Sequence, residues 1–222
     1  MAADGNRVGS IRAGYPAAVG ASELNALRAD AAGCRRCDLW KLGTQTVFGE
    51  GPPDARVVLA GEQPGDQEDR AGRPFVGPAG RVLDEALERA GVARPEVYVT
   101  NAVKHFKWQP RGKRRIHQRP GRTEIAACRP WLLAELEAID PLLLVLLGSV
   151  AATSVHGPSF RVTKQRGVAL PGPNGVTTLA TVHPSSILRG DPADREQAMD
   201  GLVADLALIP GMLERLAEGR PA

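Results

Sequence analysis

A three-layer α/β/α domain with a mostly parallel central sheet is expected from three observations. Short apolar runs alternate with helical patterns along most of the chain. One run, Leu142–Leu147, is apolar throughout, as suits a central strand buried on both faces. The other runs end abruptly in turns rich in glycine, proline, acids or asparagine, the usual punctuation between a parallel strand and its crossover helix. A length of 222 residues suits a single domain.

In chain order, residues 1–21 are Ala/Gly-rich without a convincing period and are expected to form a loose arm. The domain proper is expected over residues 22–208, with 209–222 as a C-terminal tail. A helix over Ser22–Ala32 would take Ser22 as N-cap and stop at Gly33. Val57–Ala60 reads as a strand. Gly80–Ala90 reads as a helix, because Val82, Leu83, Ala86, Leu87 and Ala90 share one face and Gly91 closes it. Val97–Val103 is the next strand, followed by a long polar segment, Lys104–Gly121. A helical stretch runs from about Thr123 to Ile139, and Pro130 should kink or break it. After Leu142–Leu147 come a strand over Val176–Val182 and an amphipathic helix over about Ala193–Leu208.

Composition narrows the function classes. Hydrophobic residues make up 43% and charged residues 24%, ordinary for a soluble globular chain. The net charge of +3 argues against bulk polyanion binding but permits a local basic patch. No run approaches the roughly 18 apolar residues of a membrane span, and the N-terminus lacks a basic-then-apolar leader, so a cytoplasmic location without membrane contact is expected. Three cysteines are an odd number, and Cys34-Arg-Arg-Cys37 suits a metal or cluster better than a disulfide framework.

Three groups of residues carry chemistry. Glu62 and Gln63 follow the first strand in Gly61-Glu-Gln-Pro-Gly65, Asn101 ends the second strand and His183 follows the last. In a parallel sheet these loops share the carboxyl edge, where ligands bind. A carboxylate, carboxamides and Phe75, set between Pro74 and Pro78, suit a flat polar ring, since an amide offers both a donor and an acceptor. The second group is the segment Lys104–Gly121. Its cations Lys104, Lys107, Arg111, Lys113, Arg114, Arg115 and Arg119 interleave with Phe106 and Trp108, a plausible grip on a phosphate backbone with rings for bases. His117 closes Lys113-Arg-Arg-Ile-His117, and the surrounding cations favour a neutral, nucleophilic imidazole there. The third group is Cys34, Cys37 and Cys128, with His105 as a fourth donor; this set fits a structural zinc at least as well as an iron–sulfur cluster. The Gly61 turn lacks the Gly-Lys-Ser/Thr of a phosphate-loop hydrolase.

Taken in order, Gly61–Gly65, Arg73-Pro-Phe-Val-Gly-Pro-Ala-Gly80, Thr100-Asn-Ala-Val-Lys104, Ala127-Cys-Arg-Pro130 and His183-Pro-Ser-Ser186 resemble the uracil-DNA glycosylase superfamily, and within it the iron–sulfur branch, family 4. Gln63 and the inserted Lys113–His117 are closer to the UdgX subgroup, whose members become covalently attached to DNA where uracil was removed. His105 stands where the ordinary branch has a cysteine, matching that subgroup's three cysteines and one histidine around a 4Fe-4S cluster.

The resemblance implies several roles. Gly61, Gln63, Gly65, Phe75, Asn101 and His183 would bind the flipped uracil, and His183 with loop amides would stabilise the departing anion. Glu62 would stabilise cationic C1′, and His117 would attack it, with Arg115 and Gln63 holding the loop. Lys113, Arg114, Arg115, Ser185, Ser186 and Arg189 would meet DNA. Cys34, Cys37, His105 and Cys128 would hold the cluster. Uracil-containing DNA, preferably single-stranded, is the implied partner, free uracil the product and a monomer the implied state. Two other readings are a hydrolytic glycosylase with turnover and a non-catalytic DNA-binding protein with a structural cluster.

Overall fold

The computed structural model describes residues 17–219; the expected N-terminal arm lies mostly outside the described residues. The elements run α1 (Ala17–Ala32), β1 (Val57–Gly61), α2 (Asp66–Ala71), α3 (Pro78–Arg89), β2 (Val97–Asn101), β3 (Trp108–Arg111), β4 (Arg114–His117), α4 (Arg122–Ile139) and β5 (Leu143–Leu147). They continue with α5 (Gly148–His156), α6 (Val162–Gln165), β6 (Ala169–Pro171), β7 (Thr177–Thr181), α7 (Pro184–Arg189), α8 (Arg195–Leu206) and α9 (Ile209–Glu218).

The main sheet has the order β2-β1-β5-β7-β6, with β6 antiparallel at one edge and the other pairs parallel. Alternation along the strands feeds two cores. Val58, Ala60, Tyr98, Leu144, Leu146 and Ala180 face one, with Leu24, Trp131, Leu132 and Leu136 of α1 and α4. Val57, Leu59, Val99, Val145, Leu147 and Leu179 face the other, with Leu83 and Leu87 of α3 and Leu202 and Leu206 of α8. The expected three layers follow from this period of two. No helix among the described residues is long and apolar enough to cross a membrane.

Four expectations change. Helix α1 starts at Ala17, so Ser22 lies inside it and not at its N-cap. Pro130 does not break α4. Burial of Leu132, Leu136 and Ile139 beyond the proline outweighs its helix penalty of about 3 kcal/mol, and the exposed Pro130 ring leaves the unpaired carbonyl four residues back near solvent. The long polar segment contains the hairpin β3-β4. The segment expected as a C-terminal tail forms α9, which buries Ile209 and Met212 in the second core.

One polar knot lies inside the first core. Lys104, only 1% exposed, donates its ammonium to Thr100 Oγ1 (2.6 Å), to the Asn101 carbonyl (2.9 Å) and to the fully buried Glu135 carboxylate. Glu135 also accepts from Tyr98 Oη (3.0 Å) and Gly49 N (2.9 Å). Lys104 is therefore unavailable to a phosphate backbone, and its place in the basic grip is withdrawn. Replacing Lys104 by methionine strands the Glu135 charge in the core. A loss of about 3–5 kcal/mol is expected, read as a lower urea midpoint at unchanged slope.

Candidate active site

β1 and β2 are paired in register so that Gly61 sits beside Asn101 at the carboxyl edge. Gly61 is the point where three candidate side chains meet. A Cβ there would lie 2.5 Å from Asn101 Oδ1, 2.7 Å from Phe75 Cζ and 3.4 Å from His183 Nε2. An amide, an aromatic ring and an imidazole thus converge on the bare face of one glycine. Phe75 and His183 stack with centroids 6.3 Å apart at 25°. Phe75 holds φ at +56°, which costs free energy that the surrounding loop must offset.

His183 follows β7, two strands from β1, and reaches Gly61 across Gly148, the residue that follows β5. That residue has φ +87°, and a Cβ on it would come 2.7 Å from His183 Cβ. Gly148 was not singled out by sequence reasoning. A strand of five apolar residues ending in Gly-Ser was its only signal.

Ser185 fixes the tautomer of His183. Its backbone N–H donates to Nδ1 at 3.1 Å, and its hydroxyl lies 2.8 Å from the same nitrogen. That hydroxyl accepts from Arg189 at 2.8 Å, so it donates to Nδ1. With Nδ1 accepting, the proton of the neutral ring sits on Nε2, facing Gly61. Ser186 Oγ donates to the His183 carbonyl at 2.7 Å. In this structure Ser185, Ser186 and Arg189 therefore organise His183 before they meet anything else.

Burial pushes the His183 pKa down to about 4, with Arg189 and His117 adding repulsion. In the unfolded chain the ring titrates near 6.5. Between these values the unfolded state takes up a proton that the folded state refuses. Stability is therefore full above about pH 6.5 and falls as pH drops toward 4, by up to about 3 kcal/mol. Urea unfolding at pH 7.5 and 4.5 checks this, and His183→Gln should flatten that portion of the pH dependence.

The hairpin brings His117 to the same edge. His117 pairs with Trp108 at its base, where Gln118 N donates to the Lys107 carbonyl at 2.9 Å. Gln63 clamps that base. Its Nε2 donates to the carbonyls of Gln118 (3.0 Å) and Lys107 (3.2 Å), while its Oε1 accepts from Lys107 N (3.2 Å). The Gln63 side chain is thus occupied by the hairpin, turned away from the role of a ring-binding amide. Arg115 anchors the hairpin's other side, donating to Asp66 (2.5 Å) and Asp69 (2.6 Å) and stacking over Phe106 and Trp108. Phe106 is 1% exposed and Trp108 Nε1 donates to the Leu42 carbonyl at 2.8 Å. The Phe106 ring is therefore not presented to a base, contrary to the sequence expectation, whereas Trp108 is half-buried. Lys107 pairs with Glu124, whereas Lys113 and Arg114 remain exposed at the hairpin tip.

His117 Nε2 stands 3.4 Å from Glu62 Oε1. That oxygen is buried and, among the described residues, has no hydrogen-bond partner. Burial pushes the Glu62 carboxyl above its usual range, against the pull of Arg119 and Arg189. Burial and Arg189 push His117 down, while a hydrogen bond to its own backbone pulls the other way. A neutral imidazole nitrogen and an unsatisfied carboxylate oxygen therefore share the pocket rim.

Glu68 is a second residue missed in the sequence. Its carboxylate accepts from Gly77 N (2.7 Å) and Gly65 N (3.1 Å), tying the Phe75 loop to the Gly61 turn. The Gly65 amide is consequently taken and is not free to face a departing anion. The capping-box spacing from Gly65 to Glu68 was the available signal.

The three cysteines lie near the Lys104 knot. Cys34, Cys37 and Cys128 are free thiols, and Cys34 and Cys37 pack against the core that holds Cys128. Lys104 N donates to Cys128 Sγ (3.1 Å) and Trp131 Nε1 to Cys34 Sγ (3.2 Å). Burial pushes Cys128 up to about 11, and burial also raises Cys37. Burial lowers His105, keeping its ring in the neutral, ligating form. Among the described residues, no three His, Cys, Asp or Glu side chains are grouped as ligands of a single metal ion. Two of the three sulfurs accept an N–H, as a thiolate would, and three cysteines with a neutral histidine are residue types whose chemistry fits a thiolate-held cluster.

A family model described as the uracil DNA glycosylase superfamily matches residues 48–207. The chain is 41% identical over 157 residues to a type-4 uracil-DNA glycosylase of Thermotoga maritima, covering 70% of this chain and 78% of the relative. It is 36% identical over 163 residues to the type-4 enzyme of Pyrobaculum aerophilum, covering 70% and 80%. With the type-4 enzyme of Sulfurisphaera tokodaii it shares 37% over 149 residues, 65% and 64% of the two chains.

Proposed function

Because the chain belongs to the uracil-DNA glycosylase superfamily, we propose that it excises uracil from DNA and then binds C1′ of the vacated sugar covalently through His117. The observation that supports the second step is Glu62 Oε1, buried without a hydrogen-bond partner and 3.4 Å from His117 Nε2.

The base is flipped out of its stack to reach the face of Gly61. Phe75 lies against its ring and Asn101 meets its polar edge. The C1′–N1 bond breaks heterolytically and its electron pair leaves with uracil. Nε2–H of neutral His183 donates to the anion as it forms, and a donor fixed beforehand needs no reorganisation at that moment. The anion then takes its proton from solvent. The cationic sugar carbon faces the Glu62 carboxylate. The Nε2 lone pair of His117 forms the new C1′–N bond, and the resulting imidazolium loses its Nδ1 proton to water. The chain is then consumed in one turnover.

A 4Fe-4S cluster would be held by Cys34, Cys37, His105 and Cys128, and when bound it would cross-link α1, the start of the basic segment and α4. Lys113 and Arg114 at the hairpin tip would meet DNA phosphates, and single-stranded DNA is the favoured substrate.

Incubation with a single-stranded oligonucleotide containing one uracil tests the reading. A protein–DNA species that survives hot detergent, with uracil released in equal amount, is the expected result. Release of many uracils per protein without the adduct would instead assign hydrolytic turnover, in which Glu62 orients a water. Binding without release would leave only a DNA-binding protein.

A further inference from the structure

Beside the pocket, and outside it, runs a groove of about 760 Å³ between the start of α4 and the segment from α5 to α6. Arg119, Arg122, Arg129 and Arg161 line it, with Phe160 in its floor and Ser149 at its near end. None of its lining residues is an aspartate or glutamate. All four arginines are exposed, and among the described residues no salt bridge to any of them is seen. Their donors are instead held by neutral groups. Arg119 donates to Ser149 Oγ (3.2 Å), Arg129 to the Ser154 carbonyl (3.0 Å) and Arg161 to the Pro158 carbonyl (2.7 Å). Guanidinium groups steadied by neutral acceptors keep their full charge for an outside anion.

The spacing suits a polyanion. Arg122 and Arg129 are seven residues apart on one face of α4, with Ile125 and Ala126 between them in the same groove. Two helical turns span about 10.5 Å, enough to meet about three successive phosphates of a stacked strand. One end of the groove lies near the site. Arg119, two residues beyond His117, lies close enough to Glu62 to pull its pKa down.

We propose that this groove carries the sugar-phosphate backbone of the strand flanking the flipped nucleotide, so that Arg122, Arg129 and Arg161 form a phosphate track outside the base pocket. The proposal rests on the reading of the site as one that acts on DNA. An acidic peptide is the other polyanion the charge would accept. DNA is favoured because the track begins near the pocket and spaces its cations along a line.

The test compares the intact chain with Arg129→Gln/Arg161→Gln, neither residue belonging to the pocket. Two single strands carry one uracil, a short one with two flanking nucleotides on each side and a long one with fifteen. The double variant should release uracil from the short strand as the wild type does. On the long strand it should bind about 10-fold more weakly, with the slope of log K against log salt reduced by about 1.4, two contacts at about 0.7 each. Unchanged affinity and slope on the long strand overturn the track while leaving excision standing. Failure of the wild type to release uracil from either strand overturns the reading of the site instead. If a poly-glutamate peptide binds the wild type and not the double variant, while long-strand affinity is equal for both, the groove belongs to a protein partner and the proposal falls.

Discussion

A His117→Ser variant is expected to lose the detergent-stable adduct entirely while free uracil continues to appear. The pocket does not depend on the imidazole: Asn101, Phe75 and His183 converge on Gly61 without it. Leaving-group stabilisation is likewise built elsewhere, on a His183 whose tautomer is set by Ser185. Serine removes the Nε2 lone pair and opens space for water beside Glu62 Oε1, which then has a donor to accept from. Uracil release should become catalytic, with several turnovers per protein where the wild type gives one. Removing His117 also removes the smallest of the effects that lower the His183 pKa, so that pKa should rise slightly. An adduct that persists in His117→Ser, mapped by peptide mass to another residue, would sink the assignment of the nucleophile.

The same logic separates the nucleophile from its support. The three hydrogen bonds of the Gln63 side chain go to the hairpin, where they fix the residues on either side of its base. Gln63→Ala should therefore lower the yield of adduct more than it lowers uracil release. A merely structural role would depress both alike.

The four parallel strands could be read from the chain because each is a short, mostly apolar run with its own turn, and burial on two faces leaves that mark locally; the three-residue edge strand β6 is mostly exposed and left no such mark. The convergence of Glu62, Asn101 and His183 followed from topology alone, since parallel strands deliver their following loops to one edge. What lies between those residues left no such trace. The hairpin covers no core, so Trp108–Arg111 and Arg114–His117 show no apolar alternation, and only the positive φ of Gly112 marks its turn. Gln63 reaches partners 44 and 55 residues away, and Arg115 reaches Asp66 across 49. Pairings at that separation have no period to betray them. Lys104 misled for a related reason. A lysine in a basic run reads as solvated, and only the fold reveals that Glu135, 31 residues on, draws it into the core.

Gly61→Ala should produce the largest loss of excision for the smallest change in the protein. Gly61 has an ordinary backbone conformation, so alanine meets no φ penalty there. Its methyl, however, would lie 2.5 Å from Asn101 Oδ1 and 2.7 Å from Phe75 Cζ. Both are side-chain ends, and relieving the contact moves the two groups that hold the ring. The base either cannot enter or enters displaced from His183 Nε2. A misplacement of about 1 Å costs about 10²-fold in rate, and complete exclusion costs more. The fold should lose about 1–3 kcal/mol, the usual range for overpacking, because the added carbon overlaps the buried Asn101 and Phe75 side chains. Single-turnover uracil release and urea unfolding measured on the same preparation separate the two effects. A fall in stability beyond that range would place Gly61 in the packing of the sheet; wild-type excision would move the pocket away from its face.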